Sequence, residues 1–215
     1  MTTADREELE EAIRLRIQEK DHSGAATVAL RGYRAEIFGF LLAFHRNQED
    51  ALEVFSLFSE RLWLDLPSFK QKCSFRTWAY TLARHASLNY LRETRRRAKR
   101  QPALPEGSEL SGLVAELRSE TASFLRTERR MRFTALRESL PAEDQALLIL
   151  RVDRKLSWND LARVLREGAS GLEEAELTRE AARLRKRFQL LKTRLCELGR
   201  RAGVVSDDGQ GSQTG

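Results

Sequence analysis

Along residues 4–20, Leu9, Ile13 and Ile17 recur at helical spacing among charges that can pair at i,i+4, which predicts a solvent-exposed helix with one narrow apolar seam. From 24 to 44 the apolar positions Val28, Tyr33, Ile37, Leu41 and Phe44 return every three to five residues and predict a second helix. Residues 49–64 carry Leu52, Phe55, Leu57, Phe58, Leu62 and Trp63, a face broad enough for a central core helix, and Pro67 ends it. After the loop LPSFKQKC, Ser74 is placed to cap a helix that turns Phe75, Trp78, Ala79, Leu82, Ala86 and Tyr90 inward and then runs into a basic tail.

The periodicity lapses in RAKRQPALPEGSELSG, where prolines, glycines and serines read as a linker. A charged amphipathic pattern resumes over 113–139, and Pro141 opens a helix over 144–152. A shorter helix follows from Ser157, with Trp158, Leu161, Ala162 and Leu165 on one face, and GASG at 168–171 ends it. Thr178 then caps a helix over 178–195 whose inward face is Ala181, Leu184, Phe188, Leu191 and Leu195. The Gly-, Ser-, Gln- and Asp-rich tail from Gly203 is expected to be disordered. No fixed-period repeat is present, which argues against a solenoid. The expectation is an all-α chain of two small helical domains: an N-terminal helical extension over 1–23, a first domain over 24–97, a linker over 98–130, a second domain over 131–202 and a tail over 203–215.

Composition agrees with this reading. Only four prolines and twelve glycines occur in 215 residues, 41% of them hydrophobic and 33% charged, a balance that suits packed helices. The net charge of +6 favours an anionic partner without saying which. Its distribution says more: residues 5–11 are acidic, whereas 92–100 and 179–201 are strongly basic, so two contacts are expected. Cys73 and Cys196 are isolated, which indicates neither a zinc site nor a disulfide framework and fits a reduced cytoplasm. No apolar stretch is long enough to span a bilayer and the N-terminus has no signal-peptide pattern, so a soluble cytoplasmic protein without membrane insertion is expected.

The short helix from Ser157 followed by a longer arginine-rich one is the arrangement of a helix-turn-helix, whose second helix needs an apolar rear and long donor-bearing side chains in front. Arg179, Glu180, Arg183, Lys186 and Arg187 lie off the apolar stripe, where arginine can take a guanine edge, glutamate can accept from cytosine and either cation can hold a phosphate. A charge run alone is better explained by a solvated helix face; the helix before it and the basic bias of the segment reverse that and favour DNA. The second basic block, RETRRRAKR from Arg92, follows a loop containing Phe69, Lys70, Lys72 and Phe75, and cations beside rings suit unstacked bases. Phe75 and Trp78 fit the core stripe better, while Phe69 and Lys70 are open to either role. His45 and His85 have no ligand company, and no GxGxxG, Walker, HExxH or GxSxG pattern occurs, so no catalytic residue, metal or cofactor is expected.

These residues resemble the extracytoplasmic-function (group IV) sigma factors of bacterial RNA polymerase over roughly 25–97 and 133–198. QEDALEVFSLFSERLW is similar to the family's acidic-aromatic helix of region 2, which docks on the polymerase clamp helices. SFRTWAYTLARHASLNYLR looks like its minus-ten helix, matching at Thr77, Trp78, Leu82, Ala83 and Arg92. LPAEDQALLILRVDRKLSWNDLARVL looks like the start of region 4, and LRKRFQLLKTRL like the recognition helix. The resemblance implies core-polymerase contacts from Glu49, Asp50, Glu53, Phe55, Ser56, Ser59 and Glu60. It implies minus-ten contacts from Phe69, Lys70, Gln71, Lys72, Ser74, Arg76, Arg84, Arg92, Arg95 and Arg96. Thr178, Arg179, Glu180, Arg183, Lys186 and Arg187 would read the minus-thirty-five duplex. RNA polymerase core and promoter DNA are the implied partners, an anti-sigma factor is a further one in many members, and no cofactor is implied because the polymerase performs the chemistry. The chain departs from the family at His85, usually Asn, at Leu52, usually Gln, and in a long acidic connection over 166–177. Two other readings remain: a stand-alone helix-turn-helix regulator with an N-terminal dimerisation or sensing domain, and a regulator-binding protein without DNA activity.

Overall fold

The computed structural model describes residues 2–100, 140–166 and 173–201; the expected linker beyond residue 100, the pattern over 113–139, GASG and the tail lie outside the described residues. Within them the chain is all-α, with no strand. Helix α1 (Thr3–Gln18) opens on a capping box, in which Thr2 Oγ1 accepts the Asp5 N–H at 3.1 Å and Asp5 accepts the Thr2 N–H at 2.7 Å. Asp21 caps α2 (His22–His45), Arg46 closes it in the left-handed region at φ 60°, and Asn47 caps α3 (Gln48–Asp65). A 3-10 turn, Leu66–Ser68, carries Pro67 at its start and leads to the loop before α4 (Phe75–Arg100).

The second half holds α5 (Ala142–Leu148), a single π-helical turn (Ile149–Asp153), α6 (Trp158–Leu165) and α7 (Glu174–Arg201). Ser157 caps α6 by accepting the Asp160 N–H at 3.1 Å, as its position predicts. The helix expected over 144–152 begins at Ala142 and gives way to the π turn after Leu148, where the Arg154 N–H reaches back to the Ile149 carbonyl at 3.0 Å.

Thr178 is not the cap of the last helix. That helix starts at Glu174, and the Thr178 hydroxyl donates to the Glu174 carbonyl at 2.9 Å. Two effects move the start back by a turn. Leu177 is buried and extends the inward stripe ahead of Ala181, and Glu174 and Glu176 place carboxylates at the positive end of the helix.

Helix α2 is the axis of the N-terminal half. Its alanines at 25, 26 and 29 let α1 lie close, and Gly32 faces Leu9 so tightly that an added Cβ would sit 2.3 Å from a leucine methyl. Further along, Ile37, Phe40 and Leu41 are wholly buried beneath Val54, Phe58 and Leu62 of α3 and Ala79, Tyr80 and Ala83 of α4. The Phe40 ring meets Tyr80 edge-on at 5.5 Å and lies stacked on Phe44 at 5.9 Å.

The two halves share one core, because Leu147, Leu150, Leu161, Ala162 and Val164 join the same buried cluster. Polar ties cross the seam. Arg76 donates to the Arg154 carbonyl at 2.8 Å, the Thr77 hydroxyl to Asp160 at 2.8 Å, and Arg84 pairs with Glu143 at 2.5 Å. A smaller cluster of Leu140, Leu148, Leu191 and Leu195 closes α7 onto α5. Among the described residues no helix is long and apolar enough to cross a membrane.

Phe40→Ala is expected to lower unfolding stability by about 3–5 kcal/mol in urea titration, because it opens a cavity at the centre of the core. Leu190→Ala, at a position 65% exposed, should change it by less than about 0.5 kcal/mol.

Candidate nucleic-acid interface

Three surfaces carry the residues expected to act. The first is the loop that joins α3 to α4. The 3-10 turn delivers Phe69, Gln71 adopts the left-handed region at φ 54°, and the chain reverses into Ser74. The Ser74 hydroxyl accepts the Thr77 N–H at 3.2 Å and so caps α4. Two further first-turn donors, the N–H groups of Phe75 and Arg76, go to the Glu10 carboxylate on α1 at 2.7 and 2.8 Å. Phe69 stacks on Trp78 with centroids 4.7 Å apart and meets Phe75 edge-on at 5.9 Å.

A cleft of about 420 Å³ opens beside these rings, lined by Phe69, Lys70, Lys72, Trp78, His85 and Arg163. Rings form part of the wall and cations stand at the rim, an arrangement that accepts a planar, anion-linked group by stacking and charge. Lys70, Gln71, Lys72 and Ser74 are exposed on the loop, and Arg92, Arg95 and Arg96 are exposed on the distal half of α4. Arg92 is steadied by Asn89 at 2.9 Å and Arg96 by Glu93 at 3.0 Å.

Two of the arginines expected on this surface turn inward instead. Arg84 is 2% exposed and paired with Glu143. Arg76 binds Glu36 through Nε at 2.6 Å; burial disfavours its charge, yet the Glu36 carboxylate outweighs that and holds its pKa above the ordinary value. Both lie on the side of α4 that receives α5, the π turn and α6, and that packing sets their direction. Arg163 and Arg61, which border the same loop, were not expected there. Arg163 comes from the other half of the chain, and Arg61 reads from sequence as an i,i+4 partner of Asp65, a bond it makes at 2.6 Å.

The second surface is the outer face of α3. Glu49, Glu53, Ser56 and Glu60 are exposed on it, interleaved with Leu52, Trp63 and Leu64, the last 63% exposed. Asp50 instead accepts the Tyr90 hydroxyl at 2.6 Å, Ser59 donates to the Phe55 carbonyl at 2.8 Å, and Phe55 packs edge-on against Phe38 at 6.0 Å. Those three residues build the face from beneath. Carboxylates mixed with large apolar groups suit a protein partner better than a phosphate backbone.

The third surface is α7. Its stripe of Leu177, Ala181, Leu184, Leu191 and Leu195 is buried, and Phe188 meets Trp158 of α6 edge-on at 5.6 Å. Opposite it Thr178, Arg179, Arg183 and Lys186 face outward, the Arg183 side chain 80% exposed. Glu180 is half-buried 3.7 Å from Arg183, and Arg187 bonds Asp144 at 2.7 Å, so these two support the helix as much as they present it. The first turn is acidic, through Glu174 and Glu176. Among the described residues no group of three or more His, Cys, Asp or Glu side chains is placed to hold a metal ion.

Residues 30–97, which contain most of α2 and all of α3, the loop and nearly all of α4, match the family described as Sigma-70 region 2. Over 167 residues, 76% of this chain and 91% of the other, the sequence is 29% identical to the RNA polymerase sigma factor YlaC of Bacillus subtilis (strain 168).

Burial pushes the Cys73 thiol in the loop up to about 11, against the opposing pull of Arg163. At pH 8 iodoacetamide should therefore modify the exposed Cys196 first and Cys73 slowly, with peptide mapping as the readout.

Proposed function

We propose that the chain is an RNA polymerase sigma factor of the sigma-70 family, in its extracytoplasmic-function class, a reading supported by the region 2 match over residues 30–97 and by the 29% identity to a sigma factor, and that its three surfaces divide promoter recognition and opening between them. The α3 face docks on the polymerase core. Glu49, Glu53, Ser56 and Glu60 supply charge complementarity, and Leu52, Trp63 and Leu64 supply apolar area. The loop over 69–74, with the exposed arginines of α4, holds the single strand of the minus-ten element. Helix α7 reads the minus-thirty-five duplex through Arg179, Arg183 and Lys186.

The observation that carries this reading is the set of rings and lysines along the cleft, Phe69, Lys70, Lys72 and Trp78, all within the span that matches region 2. Extruding a base costs a few kcal/mol, and stacking on an aromatic wall returns about 1–3 kcal/mol per base. Lysines at the rim offset the rest through the phosphates. The polymerase performs the bond-making, so this chain contributes binding and strand separation, needs no cofactor of its own, and works in the cytoplasm where the polymerase is. A stand-alone helix-turn-helix regulator would use its N-terminal half for dimerisation or sensing, and the match of residues 30–97 opposes that.

Reading both elements requires the halves to separate. Elements named for positions about 25 base pairs apart are roughly 85 Å apart along the duplex at about 3.4 Å per pair, whereas α6 here lies against α4. The segment over 101–139 has a contour length of roughly 130 Å at about 3.4 Å per residue, enough to bridge that distance. Separation breaks the Thr77–Asp160 and Arg84–Glu143 bonds and frees Arg84 for the phosphates.

With core polymerase and a promoter library, the chain should confer initiation at a discrete set of sites; if no promoter gains polymerase-dependent initiation, the reading fails. Arg183→Ala and Lys186→Ala should each weaken duplex binding and reduce the salt slope by about one unit for every phosphate left without its cation. Glu143→Ala with Asp160→Ala should raise the radius of gyration of the free chain in small-angle scattering, and an unchanged radius would argue that these ties do not hold the halves together.

A further inference from the structure

We propose that Glu10, on the N-terminal helix, is a positioning residue for capture of the minus-ten strand: its carboxylate holds the first turn of α4 and thereby the wall of the base-capture cleft. The proposal rests on the reading of the loop over 69–74 given above. The first turn of a helix has N–H groups with no partner within the helix. In α4 Ser74 takes that of Thr77, and the Glu10 oxygens take those of Phe75 and Arg76, one each. The same carboxylate accepts the Tyr33 hydroxyl at 2.5 Å. An ionised acceptor facing the positive end of a helix makes stronger bonds than a neutral one.

What Glu10 fixes is Phe75. The Phe75 backbone is held by the carboxylate, and its ring lies between Tyr33, stacked at 5.9 Å, and Phe69, edge-on at 5.9 Å. Phe69 in turn stacks on Trp78 to make the aromatic wall of the cleft. A chain of contacts therefore runs from α1 through Glu10 and Phe75 to the ring beside which an unstacked base would lie. Without the carboxylate, three part-buried donors, the Phe75 and Arg76 N–H groups and the Tyr33 hydroxyl, lose this acceptor, the first turn of α4 loosens, and Phe69 is no longer braced. The attachment of α1 does not depend on this bond, because Ile13 is 1% exposed in the core, with Leu9 and Ile17 packed beside it. Variants at position 10 therefore keep the helix in place and change how α4 begins and how the Tyr33 hydroxyl is partnered.

The test uses the full chain bound to core polymerase, with Glu10→Ala, Glu10→Gln and, as a loop control, Lys70→Ala with Lys72→Ala. Affinity for core, affinity of the holoenzyme for a single-stranded non-template minus-ten oligonucleotide, and amide hydrogen exchange are measured. Glu10→Ala should weaken the oligonucleotide about tenfold, in line with removal of a helix cap, leave core affinity unchanged, and speed exchange at Phe75 and Arg76 while α2 and α3 stay protected. Glu10→Gln, which keeps one acceptor oxygen, should recover part of both effects. If the lysine control weakens the oligonucleotide and Glu10→Ala does not, Glu10 merely ties α1 down and the proposal is wrong. If core affinity falls in proportion, the effect is on folding and the proposal is equally wrong. If neither variant affects the oligonucleotide, the base-capture reading of the loop fails and takes the proposal with it.

Discussion

The seating of α4 on α2, where Tyr80 meets Phe40 edge-on in a fully buried core, sets the position of the α4 side chains that border the loop. A polar first turn placed on an aromatic core is stable only if its polar atoms are partnered, since an unpaired buried donor costs about 1–3 kcal/mol. Glu36 meets part of that requirement by accepting from both the Tyr80 hydroxyl at 2.8 Å and Arg76. Burial first, and the neighbouring carboxylates second, push the Tyr33 and Tyr80 hydroxyls well above the ordinary tyrosine range, so both stay donors. The loop over 69–74 is thus a short bridge between the end of α3 and a rigidly anchored helix start.

Much of this is legible in the residues. The inward stripes of α1, α2, α4 and α7, the Ser74 and Ser157 caps and the all-α class follow from spacing and side-chain chemistry, which are local. The broad face expected of α3 is wrong in part, because Leu52, Leu57 and Trp63 are exposed while Ala51, Val54, Phe58 and Leu62 are buried. The start of α7 is misplaced by sequence reading because Thr178 is a good capping residue by type, while the burial of Leu177 just before it depends on packing. The inward turn of Arg76 and Arg84 is not readable at all. Their partners Glu36, Glu143 and the Arg154 carbonyl lie 40 or more positions away, and helical periodicity carries no information across such separations. Glu10 is hidden for the same reason, as one carboxylate in an acidic helix with no local sign that it reaches the far side of the bundle.

The seam between the halves has an uneven character. Its apolar part is well filled, yet Arg84 is buried with Nε and Nη1 lacking hydrogen-bond partners while Nη2 meets Glu143. A buried, incompletely bonded guanidinium is costly, and an apolar side chain of similar volume would close a permanent interface at lower free energy. The seam therefore holds the halves with less free energy than its buried area suggests. That is compatible with the proposed separation of the two halves on promoter DNA.

The acidic first turn of α7 bears on how that helix could lie in a groove. A helix tip ordinarily offers its free N–H groups and the positive end of its dipole to a phosphate. Here Glu174 and Glu176 cancel that attraction, and outward-facing cations begin only with Arg179. On the reading proposed for α7, the backbone of the duplex is repelled from the tip and drawn to the second and third turns. The helix would then lie along the groove on its flank, and its pitch against the duplex, not the point of entry, would set the span of bases it covers.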